Sequence, residues 1–307
     1  MTDDRMRQAA AQDAPTPEVV LEIAGLTVQV PEAARIDDAP GDLTLVHDVD
    51  LTIHRGERVA LVGESGSGKS MTAKAVMRLD PTVRLGGSIR LGGTEIVGAP
   101  ERRVRALRGS AVSMVFQDPM TALNPVLTIG AQVAEPLVIR GVGRREARRR
   151  ALEMLDRLGV PDAARRMSAY PAEFSGGMRQ RVVMAAALVA QPALLIADEP
   201  TTALDVRVQE QVLDLIEEQS RELGLAVLLI THDLAIVAGL AHRVAVMYRG
   251  TIVENRPVDE LFADPSHPYT RGLLGSIPRI DADPSVRLRT VDQFMAEAAA
   301  APQEVLS

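Results

Sequence analysis

The chain has 307 residues, 46% of them hydrophobic and 24% charged, with a formal net charge of −7. This balance excludes disordered, collagen-like and coiled-coil architectures. Aromatic residues make up only 2% and Trp is absent, and with the acidic charge this argues against a nucleic-acid surface built on stacking or a broad basic face. With no Cys, disulfides and Cys-ligated metal or iron–sulfur centres are excluded. Residues 1–18 are polar, lack the apolar core of a secretory signal and read as a flexible leader. No apolar run approaches the ~20 residues needed to cross a bilayer. Val19–Val30 and Leu43–Ile53 predict strands flanking a loop. Glu57–Val62 is the short apolar run of a buried strand, leading through Gly63–Ser70 into a helix at Met71–Leu79. Leu85–Val97 reads as a hairpin and Val112–Phe116 as a strand. From about Pro125 to Leu188 the periodicity is helical, with Ala147, Ala151, Leu152, Leu155 and Leu158 on one face of Arg144–Leu158 and arginines elsewhere. A strand at Ala193–Ala197, a helix at Asp205–Leu223 and strands at Leu225–Ile230 and Val244–Tyr248 follow. After about Pro265 the pattern is irregular, apart from a helix at Val291–Ala300. Strand–helix alternation around a helical insertion predicts an α/β core with an inserted helical subdomain.

Three motifs carry chemistry. Gly63, Glu64, Ser65, Gly66, Ser67, Gly68, Lys69 and Ser70 fit G-x-x-x-x-G-K-[ST] between a predicted strand and a predicted helix. Glycines let backbone N–H groups curl around an anion, and the helix that opens toward Met71 turns its positive end to the same place. Lys69 is one of only two lysines among 34 basic residues, and it is placed to reach the β- and γ-phosphates, with Ser70 offering a hydroxyl to Mg²⁺. In LLIADE, Asp198 and Glu199 end an apolar strand, the position where ligands gather in open α/β sheets. Asp198 can hold Mg²⁺, and Glu199 can polarise an attacking water. In FSGGMRQR, Ser175, Gly176 and Gly177 precede a helical run, forming a second candidate anion-binding helix start.

The order of these motifs resembles the ATP-binding subunits of ABC transporters. The resemblance implies a P-loop NTPase (RecA-like) core with an antiparallel β subdomain and an inserted ABC-type helical subdomain at about 118–188. The ATPase domain would span 19–278, with a C-terminal extension at 279–307. It further implies that Ser175–Gly177 form the signature that contacts a nucleotide held by the partner subunit. Gln117 corresponds to the Q-loop glutamine, sensing Mg²⁺ and the attacking water. Thr202–Asp205 correspond to the D-loop, and His232 to the switch histidine. FQDPMTALNP, EFSGGMRQR, IADEPTTALD and DPSHPYTRGLL together are similar to the ATPases of the oligopeptide/dipeptide (peptide/nickel) importers. That implies an ATPase driving solute import, using ATP and Mg²⁺. Its partners would be two transmembrane permease subunits, a second ATP-binding subunit and, indirectly, an extracytoplasmic solute-binding protein, with no nucleic acid. Its place would be the cytoplasmic face of the cell membrane. The alternative is a non-transport ABC ATPase, for DNA repair or ribosome-associated. Two departures stand out. The Cys-rich segment that often follows the HPYT region in that family is missing, and no aromatic in Ala39–Leu45 offers a stacking face for adenine.

Overall fold

The computed structural model describes residues 18–35, 40–116, 122–200, 206–276 and 291–300. In chain order the strands are β1 (Val19–Val30), β2 (Leu43–His54), β3 (Arg58–Val62), β4 (Arg84–Leu91), β5 (Thr94–Glu95), β6 (Val112–Val115), β7 (Leu194–Asp198), β8 (Ala226–Ile230), β9 (Arg243–Tyr248) and β10 (Thr251–Pro257). The helices are α1 (Lys69–Met77), α2 (Glu101–Leu107), α3 (Ile129–Ile139), α4 (Arg144–Arg157), α5 (Ala163–Arg166), α6 (Gly176–Leu188), α7 (Val206–Leu223), α8 (Leu234–Leu240), α9 (Val258–Ala263), α10 (Pro268–Gly275) and α11 (Val291–Ala300).

Two sheets organise these elements. One is antiparallel, in the order β2-β1-β4-β5. The other runs β10-β9-β3-β8-β7-β6, parallel from β9 to β6, with β10 antiparallel at its edge. Every residue of β7 and β8 is buried, as expected for parallel strands covered on both faces. Their side chains alternate between two cores. Leu194, Ile196, Ala226, Leu228 and Ile230 join Val28, Ile53, Ile89 and the α1 residues Ala73 and Val76 beneath the antiparallel sheet. Leu195, Ala197, Val227 and Leu229 point the other way, into a core with Val182, Met184 and Leu188 of α6 and Leu155 of α4. Each fully buried aliphatic side chain contributes about 1.5–3 kcal/mol.

The helical insertion follows its 3.6-residue period. Ala147, Ala151, Met154 and Leu155 of α4 are buried. Two arginines of the same helix are tied up locally. Arg149 and Arg150 pair with Glu146 at 2.6 and 2.7 Å, and Arg149 also pairs with Glu153. These pairs hold the Glu146 carboxyl down to about 2. The side chains are exposed, so Arg149 and Arg150 form solvated, internally paired contacts that add little stability.

The C-terminal part differs from the sequence expectation. After Pro265 the chain forms α10 rather than an irregular tail, and α11 packs on it. Its start follows a helix-capping rule. Pro268 occupies the first helical position, and the Nδ1 atom of His267 accepts a hydrogen bond from the Tyr269 N–H at 3.1 Å. Buried Glu254 secures the same turn by accepting from the N–H groups of Ser266 and His267 at 2.9 and 3.0 Å.

Candidate nucleotide-binding site

β3 ends at Val62 and α1 begins at Lys69, so the glycine-rich stretch spans the gap between a strand tip and a helix start. Glycine is required by close approach at two positions. At Gly63, with φ of +150°, a Cβ would collide with the carbonyl oxygen of Met247 on β9. At Gly68, with φ of +106°, it would lie 2.8 Å from the Met247 Cε and 3.1 Å from the Leu45 carbonyl oxygen. The loop is therefore drawn tightly against β9. The Gly250 N–H also donates to the Ser67 carbonyl at 2.9 Å, clasping it from the β9–β10 turn.

The Lys69 ammonium folds back into the loop. It donates to the carbonyls of Gly63 at 2.8 Å and Glu64 at 2.7 Å, and to Ser67 Oγ at 3.3 Å. Burial lowers the Lys69 pKa, opposed by the charges of Glu199, Asp198 and Glu64. Next to it the Ser70 hydroxyl donates to Asp198 Oδ1 at 3.2 Å, across from α1 to the tip of β7. Asp198 is only 5% exposed. Burial is the main cause that pushes its carboxyl up, and Glu199 adds to it, against the Ser70 hydrogen bond.

Glu199 follows directly in a left-handed conformation, with φ of 50°. A non-glycine residue held there costs of order 1–3 kcal/mol and persists only where its surroundings fix it. Here the Glu199 N–H donates to the Ile230 carbonyl at the end of β8, at 2.8 Å. The strained turn sets the carboxylate 3.0 Å from Nδ1 of His232, which sits just past β8. The Glu199 side chain is 18% exposed and that of His232 is 68% exposed, so the pair spans the wall and rim of the cleft.

Lys69, Ser70, Glu199 and His232 line one cleft of about 610 Å³, together with Leu45, Gly63, Ser65, Gly66, Gly68, Met71 and Ile230, and Asp198 sits buried behind Ser70. The free backbone N–H groups at the α1 start and the Lys69 ammonium suit a polyphosphate. A hydroxyl paired with a carboxylate suits a hard divalent cation. The residues present thus fit a nucleotide triphosphate and a metal ion. Leu45 supplies an aliphatic wall in the stretch where no aromatic was found. Asp198 itself predicts a trade-off. Its folded pKa lies above the ordinary carboxylate value, so the ionised form opposes folding at higher pH, and protonation relieves the cost as pH falls through the raised value. Asp198→Asn is expected to raise the melting temperature of the nucleotide-free chain by a few degrees near pH 8. The gain should shrink on acidification, and melting curves across pH would read it.

Ser175 caps α6, accepting from the Met178 N–H at 3.4 Å. Ser175 and Gly176 are exposed, and Ser175, Gly176 and Gly177 are not among the walls of the Lys69 cleft. One strut links the two regions, since buried Gln180 of α6 donates to the Pro200 carbonyl at 2.6 Å, immediately after Glu199. Gln117 and Thr202–Asp205 lie outside the described residues. Sequence reasoning missed Ile230 as a wall. It also missed Tyr269, whose hydroxyl accepts the Glu64 N–H at 2.8 Å. HPYT was visible as a motif, but nothing in its spacing says that it reaches the loop.

A strand, a glycine-rich loop, a helix and an acidic pair on a parallel strand define a P-loop nucleoside triphosphatase. Residues 46–202 match the ABC transporter family, and residues 253–303 match the family described as oligopeptide/dipeptide transporter, C-terminal region. The oligopeptide transport ATP-binding protein OppD of Salmonella typhimurium is 48% identical over 276 residues, covering 89% of this chain and 81% of that one. The dipeptide transport ATP-binding protein DppD of Lactococcus lactis is 45% identical over 269 residues, covering 86% and 75%. Among solved structures, a dimeric, post-hydrolysis ATP-binding cassette bound to ADP and Pi superposes with a TM-score of 0.69. It is 27% identical, covering 78% of this chain and 98% of that one. The chain belongs to the ATP-binding, ATP-hydrolysing subunits of the ABC transporter family. Importer ATPases of this kind work with transmembrane permease subunits. Among the described residues, no helix is long and apolar enough to cross a membrane.

Proposed function

We propose that this chain powers import of oligopeptides or dipeptides from the cytoplasmic face of the cell membrane. It would do so with two permease subunits, a second and different ATP-binding subunit and, at one remove, an extracytoplasmic solute-binding protein. The observation that carries the reading is the cleft in which Lys69, Ser70, Glu199 and His232 converge, in a chain that also matches the oligopeptide/dipeptide C-terminal region. The non-transport alternative has no such second feature behind it.

In this reading residues 19–278 form the ATPase domain, with the helical subdomain at about 118–188 and an extension at 279–307. The cradle from Gly63 to Met71 binds and orients the phosphates. Glu199 accepts a proton from the attacking water, and its contact with His232 holds the carboxylate in line. Ser70, Asp198 and Gln117 would hold Mg²⁺, which when bound neutralises charge on the β- and γ-phosphates. Ser175, Gly176 and Gly177 would complete the cleft of the opposing subunit, and Asp205 would contribute at the seam between the two. The exposed position of Ser175 and Gly176 supports this arrangement. Catalysis is positioning and charge stabilisation throughout. On the helical subdomain Leu127, Ala131, Ala134 and Val138 line an apolar groove edged by Arg144 and Arg148, which supports docking of a permease there.

The test is a gentle detergent pull-down of the tagged chain from its own cells, with the co-purifying proteins identified. Two multi-span membrane proteins and a second ATPase are expected. Recovery of ribosomes or DNA with no membrane protein would overturn the importer reading.

A further inference from the structure

The HPYT segment does more than end the fold. Tyr269 is fully buried on α10, and its ring stacks against Tyr248 with centroids 4.3 Å apart. From there its hydroxyl accepts the Glu64 N–H at 2.8 Å. That N–H belongs to the same peptide group as the Gly63 carbonyl, and the Gly63 carbonyl accepts from the Lys69 ammonium at 2.8 Å. A single peptide plane is therefore held at one end by Tyr269 and at the other by Lys69. Hydrogen bonds that share a peptide group polarise one another, so the first strengthens the second. The plane also has little freedom to find another partner, because Gly63 is pressed against the Met247 carbonyl.

We propose that Tyr269 is a positioning residue for nucleotide binding, acting through the 63–64 peptide on the Lys69 ammonium. The proposal rests on Lys69 as a phosphate ligand. It gives the C-terminal region an indirect hold on the cleft, through the loop. The turn that presents Tyr269 is fixed by Glu254 and by the His267 cap, so the placement of the hydroxyl is built into the α10 start. Loss of that placement would loosen the loop without touching any cleft wall.

The test compares ATP dissociation constants of the native chain and Tyr269→Phe, by competition against a fluorescent ATP analogue. Phe keeps the ring and leaves the Glu64 N–H without its acceptor, and affinity is expected to fall about tenfold. The discriminating step repeats the substitution in a Lys69→Ala background, where Tyr269→Phe should have no further effect. An equal loss in both backgrounds means general destabilisation and overturns the proposal. Leu273→Ala, a packing change on the same helix, should lower the melting temperature and leave ATP affinity within twofold. Should the Phe variant not fold, hydrogen exchange on the native chain decides. A slowly exchanging Glu64 amide supports the tether, and exchange as fast as an exposed loop overturns it. A native chain that fails to bind ATP overturns the underlying reading. Native binding with unchanged Tyr269→Phe binding overturns this inference alone.

Discussion

Glu199→Gln is expected to bind ATP about as well as the native chain while hydrolysing it at least a hundredfold more slowly. The substitution keeps size and one acceptor oxygen, so the 3.0 Å contact with His232 Nδ1 can persist. What is lost is the negative charge proposed above to accept a proton from water, and a positioned general base is typically worth 10²–10⁴ in rate. The phosphate cradle is not touched, because Lys69 makes its bonds to Gly63, Glu64 and Ser67. Phosphate release and equilibrium nucleotide binding should therefore separate. Turnover within threefold of native would remove Glu199 from the chemical step.

Lys69→Ala should fail one stage earlier. A charge-assisted hydrogen bond contributes about 1.5–3 kcal/mol, and the ammonium makes more than one. A loss of roughly 3 kcal/mol lowers ATP affinity by about two decades. Part of the loss comes from the loop itself. Without the ammonium, the carbonyls of Gly63 and Glu64 lose the donor that curls them inward. Lys69→Arg should recover little, because a planar guanidinium cannot sit where a compact ammonium bonds both carbonyls. Calorimetric titration with ATP is the measurement, and a drop of less than fivefold would show that backbone N–H groups bind the phosphates without it.

Much of this site was legible in the sequence because its physics is local. A strand, a glycine-rich loop and a helix start occupy consecutive residues, so the shape of Gly63–Ser70 could be read from the sequence. The Asp198–Glu199 pair was readable because an apolar strand must end where its acids begin. The left-handed turn at Glu199 was not readable, since it depends on a hydrogen bond to Ile230 on another strand. α10 was not legible in apolar periodicity, because its start is written in His267 and Pro268. Tyr269 could not be placed from sequence for a different reason. It lies 205 positions from the N–H it accepts, and only the folded sheet brings them together.

The alternation along β7 and β8 has a consequence for how the molecule comes apart. Neighbouring residues on these strands, such as Leu195 and Ile196, serve different cores. Neither core can melt without releasing strands that the other needs. Heat or denaturant should thus find no stage in which the helical layer is lost and the antiparallel layer survives intact. Damage on one face, such as a void opened beneath α6, would be felt as weakened cohesion on the far face, with the acidic pair at the tip of β7 caught between them.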